Sequence, residues 1–171
     1  MNAFTGAFRQ ADIVVVGGGG TGLAAAIEAA GAGRKVILLE KEPKLGGATG
    51  RSVGSITASG TRLQKSAGVV DDAQAHFEDM PLFAPHLANR DNLELRRLLV
   101  DNVPDVVAWL ERLGVVFFGP MPEPPHRVPR MHNILPSSKS YIHCLEKEAR
   151  QLGVEIVLQA KAERLVQQDG R

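Results

Sequence analysis

Five of the six residues from 17 to 22 are glycine, and they follow the apolar run Ile13-Val14-Val15-Val16. Few structures accept that order. Four β-branched residues in succession read as a short buried strand over 12–16. Residues 23–30 are Ala-rich and helical, and Gly31 or Gly33 is placed to end them. Residues 35–40 carry Val36-Ile37-Leu38-Leu39 and close on Glu40, a second strand. A strand, a helix and a strand within about thirty residues imply a right-handed parallel crossover.

The expected class is therefore α/β, a Rossmann-like domain on a parallel sheet. Within the turn, Gly17-x-Gly19-x-x-Gly22 has the spacing of a dinucleotide fingerprint. Gly17 allows the sharp turn out of the strand. Gly19 lets the backbone approach a pyrophosphate without a Cβ in the way. Gly22 lets helix and strand pack closely. Gly20 and Thr21 open the helix, where free N–H groups and a partial positive charge face the phosphates. Glu40 stands 23 positions after Gly17, placed to accept hydrogen bonds from ribose hydroxyls. A 2′-phosphate would be repelled there, which disfavours NADP. A flexible glycine linker is the alternative, and the clean flanking strand and helix patterns argue against it. The fingerprint alone does not choose between FAD and NAD.

The longest apolar stretch, 13–32, is broken by the glycines and by Glu28, which excludes a transmembrane helix. Only Arg9 precedes it as a basic residue, a poor signal peptide, so a cytoplasmic protein is expected. Lys plus Arg number 20 against 19 Asp plus Glu, so no nucleic-acid or anionic-membrane footprint is written here. One cysteine, Cys144, excludes a disulfide framework and a cysteine-based zinc site; it reads as a small core residue. No internal repeat is present.

Further along, residues 46–60 are rich in Gly, Ser and Thr and read as loop or short irregular helix. Asp71 or Asp72 can cap a helix carrying Ala75 and Phe77. Leu93, Leu95, Leu98, Leu99 and Val103 recur at helical spacing. Asn102 then reads as the cap of a new helix opened by Pro104 and stopped at Gly114, with a short strand over 115–118. Residues 119–136 hold six prolines and read as a connection of extended and turn conformations. Ser137 reads as the cap of a helix bearing Tyr141, Ile142, Leu145, Ala149 and Leu152. Strands are expected over 154–158 and, more polar, over 162–167. Asp169-Gly170 is a hairpin turn signal. An unpaired strand at 162–167 would be a template for homo-oligomer formation.

The segment Glu40-Lys41-x-Pro43-x-x-Gly46-Gly47-Ala48-Thr49-Gly50-Arg51-Ser52-Val53-Gly54-Ser55 resembles the fumarate reductase and succinate dehydrogenase flavoprotein family, which includes 3-ketosteroid dehydrogenases and related FAD-dependent oxidoreductases. The resemblance extends over essentially the whole chain, weakly after residue 60. It implies the N-terminal part of an FAD-binding domain: a βαβ unit over 11–41, an FAD-contact loop over 42–61, a helical segment over 70–114, the Pro-rich connection, and helix and strands over 137–171, truncated before a capping domain. It places Thr21 at the pyrophosphate and Glu40, beside Lys41, at the adenosine ribose. Gly47, Ala48, Thr49, Val53 and Gly54 would run along the path toward the flavin, and Ala162 would meet adenine. Ala48 departs from the Asn or Ser of many members, and Ser55 from a glycine. Covalent members carry a histidine in this segment; none lies between Lys41 and Arg62, so the resemblance implies noncovalent FAD.

The implied reaction is hydride transfer between flavin and a carbon–carbon bond beside an electron-withdrawing group of a small-molecule substrate. The family's proton donor and substrate-binding residues would follow Arg171, so no catalytic residue is assigned here. Arg127, Arg130, His126 and His132 could face substrate or a phosphate, against a plainer reading as solvated or backbone-bonding loop residues. Ser137-Ser138-Lys139-Ser140 could bind phosphate, against simple capping. The five histidines, 76, 86, 126, 132 and 143, lack paired metal-ligand spacing. An NAD-binding oxidoreductase domain and a catalytically inactive fragment or partner subunit are the rival functions.

Overall fold

The computed structural model describes residues 9–167. In chain order the elements are β1 (Ile13–Val16), α1 (Gly20–Gly31), β2 (Val36–Leu39), β3 (Ile56–Thr57), α2 (Arg62–Ser66), α3 (Ala73–Asp79), α4 (Leu93–Arg112), β4 (Val116–Met121), β5 (Met131–Leu135), α5 (Lys139–Gln151) and β6 (Glu155–Val157). Short 3-10 turns occupy Thr49–Arg51, Met80–Phe83 and Pro85–Arg90. The chain divides into two units. One comprises the residues up to Gly50 together with those from Leu145 onward, and the other is Arg51–Cys144.

The first unit is the expected crossover. β1 and β2 pair in parallel from Ile13 opposite Val36 to Val16 opposite Leu39, and β2 pairs in parallel with β6 through Leu38 and Ile156. The sheet order is thus β1-β2-β6. α1 buries Leu23, Ala26 and Ile27, an i, i+3, i+4 stripe, and central β2 is buried over Val36, Ile37 and Leu38. β1 is not the buried strand its composition suggests. Val14 is 54% and Val16 61% exposed, because β1 lies at the sheet edge and the described residues leave much of its surface uncovered. Residues 161–167 form no strand. No described segment pairs with them, and Leu165 is 98% exposed, so the strand expected over 162–167 is not observed. The Asp169-Gly170 turn lies outside the described residues.

The second unit holds an antiparallel sheet of order β3-β5-β4. Here the Pro-rich stretch departs from its reading as pure connection. β4 continues to Met121 and β5 fills Met131–Leu135. The prolines at 129 and 136 flank β5 without entering it, so its ladder N–H groups survive. A register shift between Phe118 and Met121 bends β4 at Gly119, where a Cβ would lie 2.7 Å from the Met131 carbonyl.

The two helices expected over 93–113 are one. α4 runs unbroken with Pro104 inside it, and its cap is Asn92, whose Oδ1 accepts from the N–H of Glu94 and of Leu95. Arg96, Val100, Val103, Val107 and Leu110 form a single buried stripe, so burial keeps the helix in phase across the proline despite the missing N–H. Asn102 caps nothing; its amide donates to the Leu98 carbonyl one turn back at 2.7 Å. Asp72 caps α3 by accepting from Ala75 N–H at 2.7 Å. α5 starts at Lys139, so Ser138 and not Ser137 precedes it. Cys144 is buried, as a small core residue should be.

Candidate functional site

The glycine turn uses its glycines for different reasons. Gly17 has φ +104° and donates its N–H to the Leu39 carbonyl at 2.8 Å, tying the turn to the end of β2. A Cβ at Gly22 would sit 1.9 Å from the Gly17 carbonyl oxygen, so helix and turn close against each other here. A Cβ at Gly17 would meet nothing within 4 Å, and one at Gly19 only Gly46 and Gly47 backbone at 3.9 and 4.0 Å. At those two positions glycine bares the backbone; at Gly22 it permits packing. α1 begins with Gly19 as its cap, with no side-chain oxygen of its own, and Thr21 is exposed on the first turn.

Glu40 is 7% exposed and grips this turn. Its Oε2 accepts the Gly18 N–H at 2.7 Å and its Oε1 the Glu42 N–H at 2.9 Å. These amide bonds, that to Glu42 foremost, hold the carboxyl below its ordinary range, so it is ionised at neutral pH. Each oxygen keeps further acceptor capacity for a ribose hydroxyl. The strand end is laced to the segment after β6: Glu40 N–H donates to the Val157 carbonyl, and the Ala160 N–H donates to the Glu40 carbonyl at 2.8 Å. Ala162, two residues on, is exposed, as is Lys41.

The segment after β2 folds back onto the turn. Gly46 donates to the Gly18 carbonyl at 2.9 Å and pairs in parallel with Gly19. Gly47, with φ +51°, and Ala48 are exposed. Thr49 Oγ1 accepts the Gly20 N–H at 3.2 Å. The first unit thus brings together the glycine turn, Glu40, Gly47, Ala48 and Thr49. Val53 and Gly54 belong to the second unit. There Val53 is 86% exposed, and Gly54 is packed so that a Cβ would fall 2.6 Å from Ile134 Cγ2. Tyr141 donates its hydroxyl to the Gly54 carbonyl at 2.6 Å, and burial pushes that phenol well above its ordinary value, leaving it neutral.

The residues considered for substrate or phosphate are otherwise employed. Arg130 is wholly buried, forks onto Asp71 with two 2.7 Å bonds and reaches Asp79 at 2.6 Å. Asp79 also accepts the N–H and Nε–H of Arg127. Those bonds outweigh burial and hold Asp79 down at about 2. Arg130 Nη1 lies 2.8 Å from His126 Nδ1. A guanidinium only donates, so that nitrogen accepts and His126 is the neutral Nε2–H tautomer. His132 is fixed the other way: Nδ1–H donates to the Arg130 carbonyl at 2.7 Å, and Nε2 accepts from the Thr61 hydroxyl at 2.8 Å. Burial, then the Arg130 charge, lowers His76 to about 4. Neither the phosphate-facing nor the solvated-loop reading holds for Arg130, whose guanidinium is engaged by Asp71, Asp79 and His126.

Sequence reasoning took Asp71 only as a possible helix cap, counted His76 only among histidines without metal-ligand spacing, and passed over Asp79. The available signal was the charge pattern, acidic residues at 71, 72, 78 and 79 against His126, Arg127 and Arg130. Among the described residues no group of three or more His, Cys, Asp or Glu could hold a metal, and no helix is long and apolar enough to cross a membrane.

Several known reductases and dehydrogenases are similar to this chain. The chain is 37% identical over 108 residues to NADH:fumarate oxidoreductase of Klebsiella pneumoniae (strain 342), covering 63% of this chain and 11% of that protein. An open conformation of a flavocytochrome c3 fumarate reductase superposes with a TM-score of 0.84 and 31% identity over 93% of this chain and 28% of the other. The 3-ketosteroid-delta4-(5alpha)-dehydrogenase of Rhodococcus jostii RHA1, in complex with 4-androstene-3,17-dione, gives 0.81 and 27% over 98% of this chain and 41% of the other. The chain therefore spans less than half the length of each. The family described as FAD binding domain matches residues 12–171, with FAD as its cofactor, and this chain belongs to it.

Proposed function

We propose that this chain binds the ADP and pyrophosphate portion of FAD, without a covalent link, as part of an FAD-dependent oxidoreductase. The observation that carries the reading is the glycine turn closed by Glu40, with backbone bared at Gly17 and Gly19 and the carboxylate clamped at the end of β2. Gly19, Gly20, Thr21 and Gly22 face the pyrophosphate with backbone N–H groups at a helix start, and Gly17 makes the turn that brings the cofactor against them. Glu40 accepts from the adenosine ribose, with Lys41 beside it. Gly47, Ala48 and Thr49 follow the cofactor away from the pyrophosphate, Val53 and Gly54 continue toward the flavin, and Ala162 contacts adenine. Bound FAD supplies two-electron chemistry; this chain's residues bind and orient it. In the whole protein the substrate is a small molecule with a carbon–carbon bond next to an electron-withdrawing group, a reading supported by the fumarate and ketosteroid in the names of the relatives.

The test is a titration of the protein with FAD, NADH and ADP. Quenched flavin fluorescence on binding, competition by ADP, and release of all flavin on acid denaturation are expected. Binding of NADH in place of FAD, or flavin retained after denaturation, would overturn the proposal.

A further inference from the structure

His126 sits within the ionic cluster of the second unit, its side chain only 3% exposed. Its Nδ1 accepts from Arg130 Nη1 at 2.8 Å and lies 3.9 Å from Asp79 Oδ2. Its Nε2 lies 4.0 Å from Glu123 Oε2. α3 supplies Asp79 and His76, the latter edge-on to the ring at 5.4 Å between centroids. Asp71, ahead of α3, holds the Nε and Nη2 edge of Arg130. Glu123 also accepts the Thr57 hydroxyl of β3 at 2.8 Å, and Arg127 bonds to both Glu78 and Asp79. Two guanidiniums thus meet four carboxylates, a formal charge of −2 while His126 is neutral. Phe83, from the Met80–Phe83 turn, packs its ring on His126 at 4.7 Å between centroids. With Leu87 and Arg90 the same turn walls a cavity of about 310 Å³.

We propose that His126 is an acid-operated latch on the Met80–Phe83 turn: neutral, it accepts from Arg130 and holds Phe83; protonated at Nδ1, it gives up Arg130, turns to Asp79 and Glu123, and frees the turn. The donor count requires the change. A guanidinium has no acceptor, so a proton taken from solvent onto Nδ1 sets N–H against N–H. The charged ring then has two N–H groups, with carboxylate oxygens 3.9 and 4.0 Å away. A shift of about 1 Å brings each within hydrogen-bond reach. Arg130 keeps Asp71 and Asp79 throughout, so the cluster itself persists. Phe83 is already 48% exposed, so leaving the ring uncovers little further apolar surface. While the latch is closed, burial, then the Arg130 charge, holds the ring below its ordinary 6.5. Once released it is clear of Arg130 and faces carboxylates. It then binds a proton more tightly than when latched, and acid favours release. The device is independent of the cofactor.

The experiment follows the full chain by NMR without cofactor. At neutral pH the side-chain nitrogens of His126 should report the Nε2–H tautomer, with close contacts between its ring and that of Phe83. As pH falls, protonation of His126 should coincide with loss of those contacts. It should also coincide with faster exchange at Ala84 and Leu87, whose N–H groups bond to the Pro81 and Ala84 carbonyls. After correction for intrinsic exchange, opening should rise by at most about tenfold per pH unit, the slope of one proton. Val103 and Val107 in α4 should keep their protection. His126→Asn keeps an acceptor beside Arg130 but cannot be charged, and should make exchange at Ala84 independent of pH. Glu123→Gln removes one carboxylate and should move the transition to lower pH; it carries the comparison if His126→Asn does not fold. His76→Gln should retain the transition. An Nδ1–H tautomer at neutral pH, or equal pH dependence in His126→Asn, would overturn the latch. So would a transition unmoved by Glu123→Gln or abolished by His76→Gln, and so would α4 opening in step with the turn.

Discussion

Replacing Glu40 by Gln keeps the side chain's length and removes its charge. In the folded protein the carboxylate accepts two backbone N–H groups, from Gly18 at 2.7 Å and Glu42 at 2.9 Å, at a site only 7% exposed. An amide has one acceptor oxygen. Whichever bond it keeps, its NH₂ then faces the other backbone N–H, donor against donor. A hydrogen bond to a charged group is worth about 1.5–3 kcal/mol, and an unpaired buried donor costs about as much as it loses. Glu40→Gln should therefore destabilise the protein by about 2 kcal/mol. The pH dependence gives an independent check. The folded pKa of Glu40 lies below its ordinary value of 4.5. Its contribution is thus complete above that value and is lost as pH falls through the depressed folded value. Urea unfolding at pH 7 should show a lower midpoint with unchanged slope for Glu40→Gln, and the gap should narrow toward pH 3. FAD affinity should fall as well, since the Gly18 turn loses its anchor. Equal midpoints at pH 7, or a gap that persists undiminished in acid, would refute the view that an ionised Glu40 holds the turn.

Gly22→Ala should unfold the first unit or cost it at least about 3 kcal/mol, because the new Cβ would sit 1.9 Å from backbone, which no side-chain rotation relieves; loss of thermal unfolding cooperativity and of FAD binding are the readouts. Arg130→Met leaves Asp71 and Asp79 without their buried partner and should cost about 3–5 kcal/mol in denaturant unfolding, whereas exposed Arg62→Met, at a surface ion pair, should change the midpoint little. His76 is held neutral, its folded value about 4 against 6.5 ordinarily. The unfolded chain therefore takes up a proton first as pH drops from 6.5 toward 4, and stability should decline across that window; His76→Gln should flatten the decline measured by urea midpoints.

What could be read from the sequence was what neighbours along the chain decide. The strand-turn-helix-strand over 12–40 follows from β-branched runs, alanines and glycines within a few residues of one another, and the glycine turn forms as its spacing requires. The path of residues 46–50 back onto that turn was legible only through resemblance, because Gly46 meets Gly18 by backbone bonds that leave no side-chain signature. The Arg130 cluster was not legible at all. Its partners lie 59 and 51 positions away, and nothing local tells a buried guanidinium from a solvated one in a Pro-rich stretch. Pro104 misled for the opposite reason. As a local signal it reads as a helix start, yet the buried stripe of α4 passes straight through it. Burial of β1 was over-read, since composition reports a strand's preference for cover and not whether the described chain supplies it.

The placement of β6 beside β2 has a consequence for how the protein is made. β1, α1 and β2 leave the ribosome before the strand that flanks β2 on its other side, which pairs Ile156 with Leu38, and the whole of Arg51–Cys144 lies between. Closing a loop of about 120 residues is slow and carries an entropy cost of about 0.6 kcal/mol for each doubling of length. If the intervening unit condenses first, it shortens that loop to the distance between its own two ends. The nascent first unit would then wait, with β2 open on one side, for the segment between its strands to fold. Substitutions that destabilise the Arg130 cluster would in that case delay completion of a sheet to which they contribute no strand.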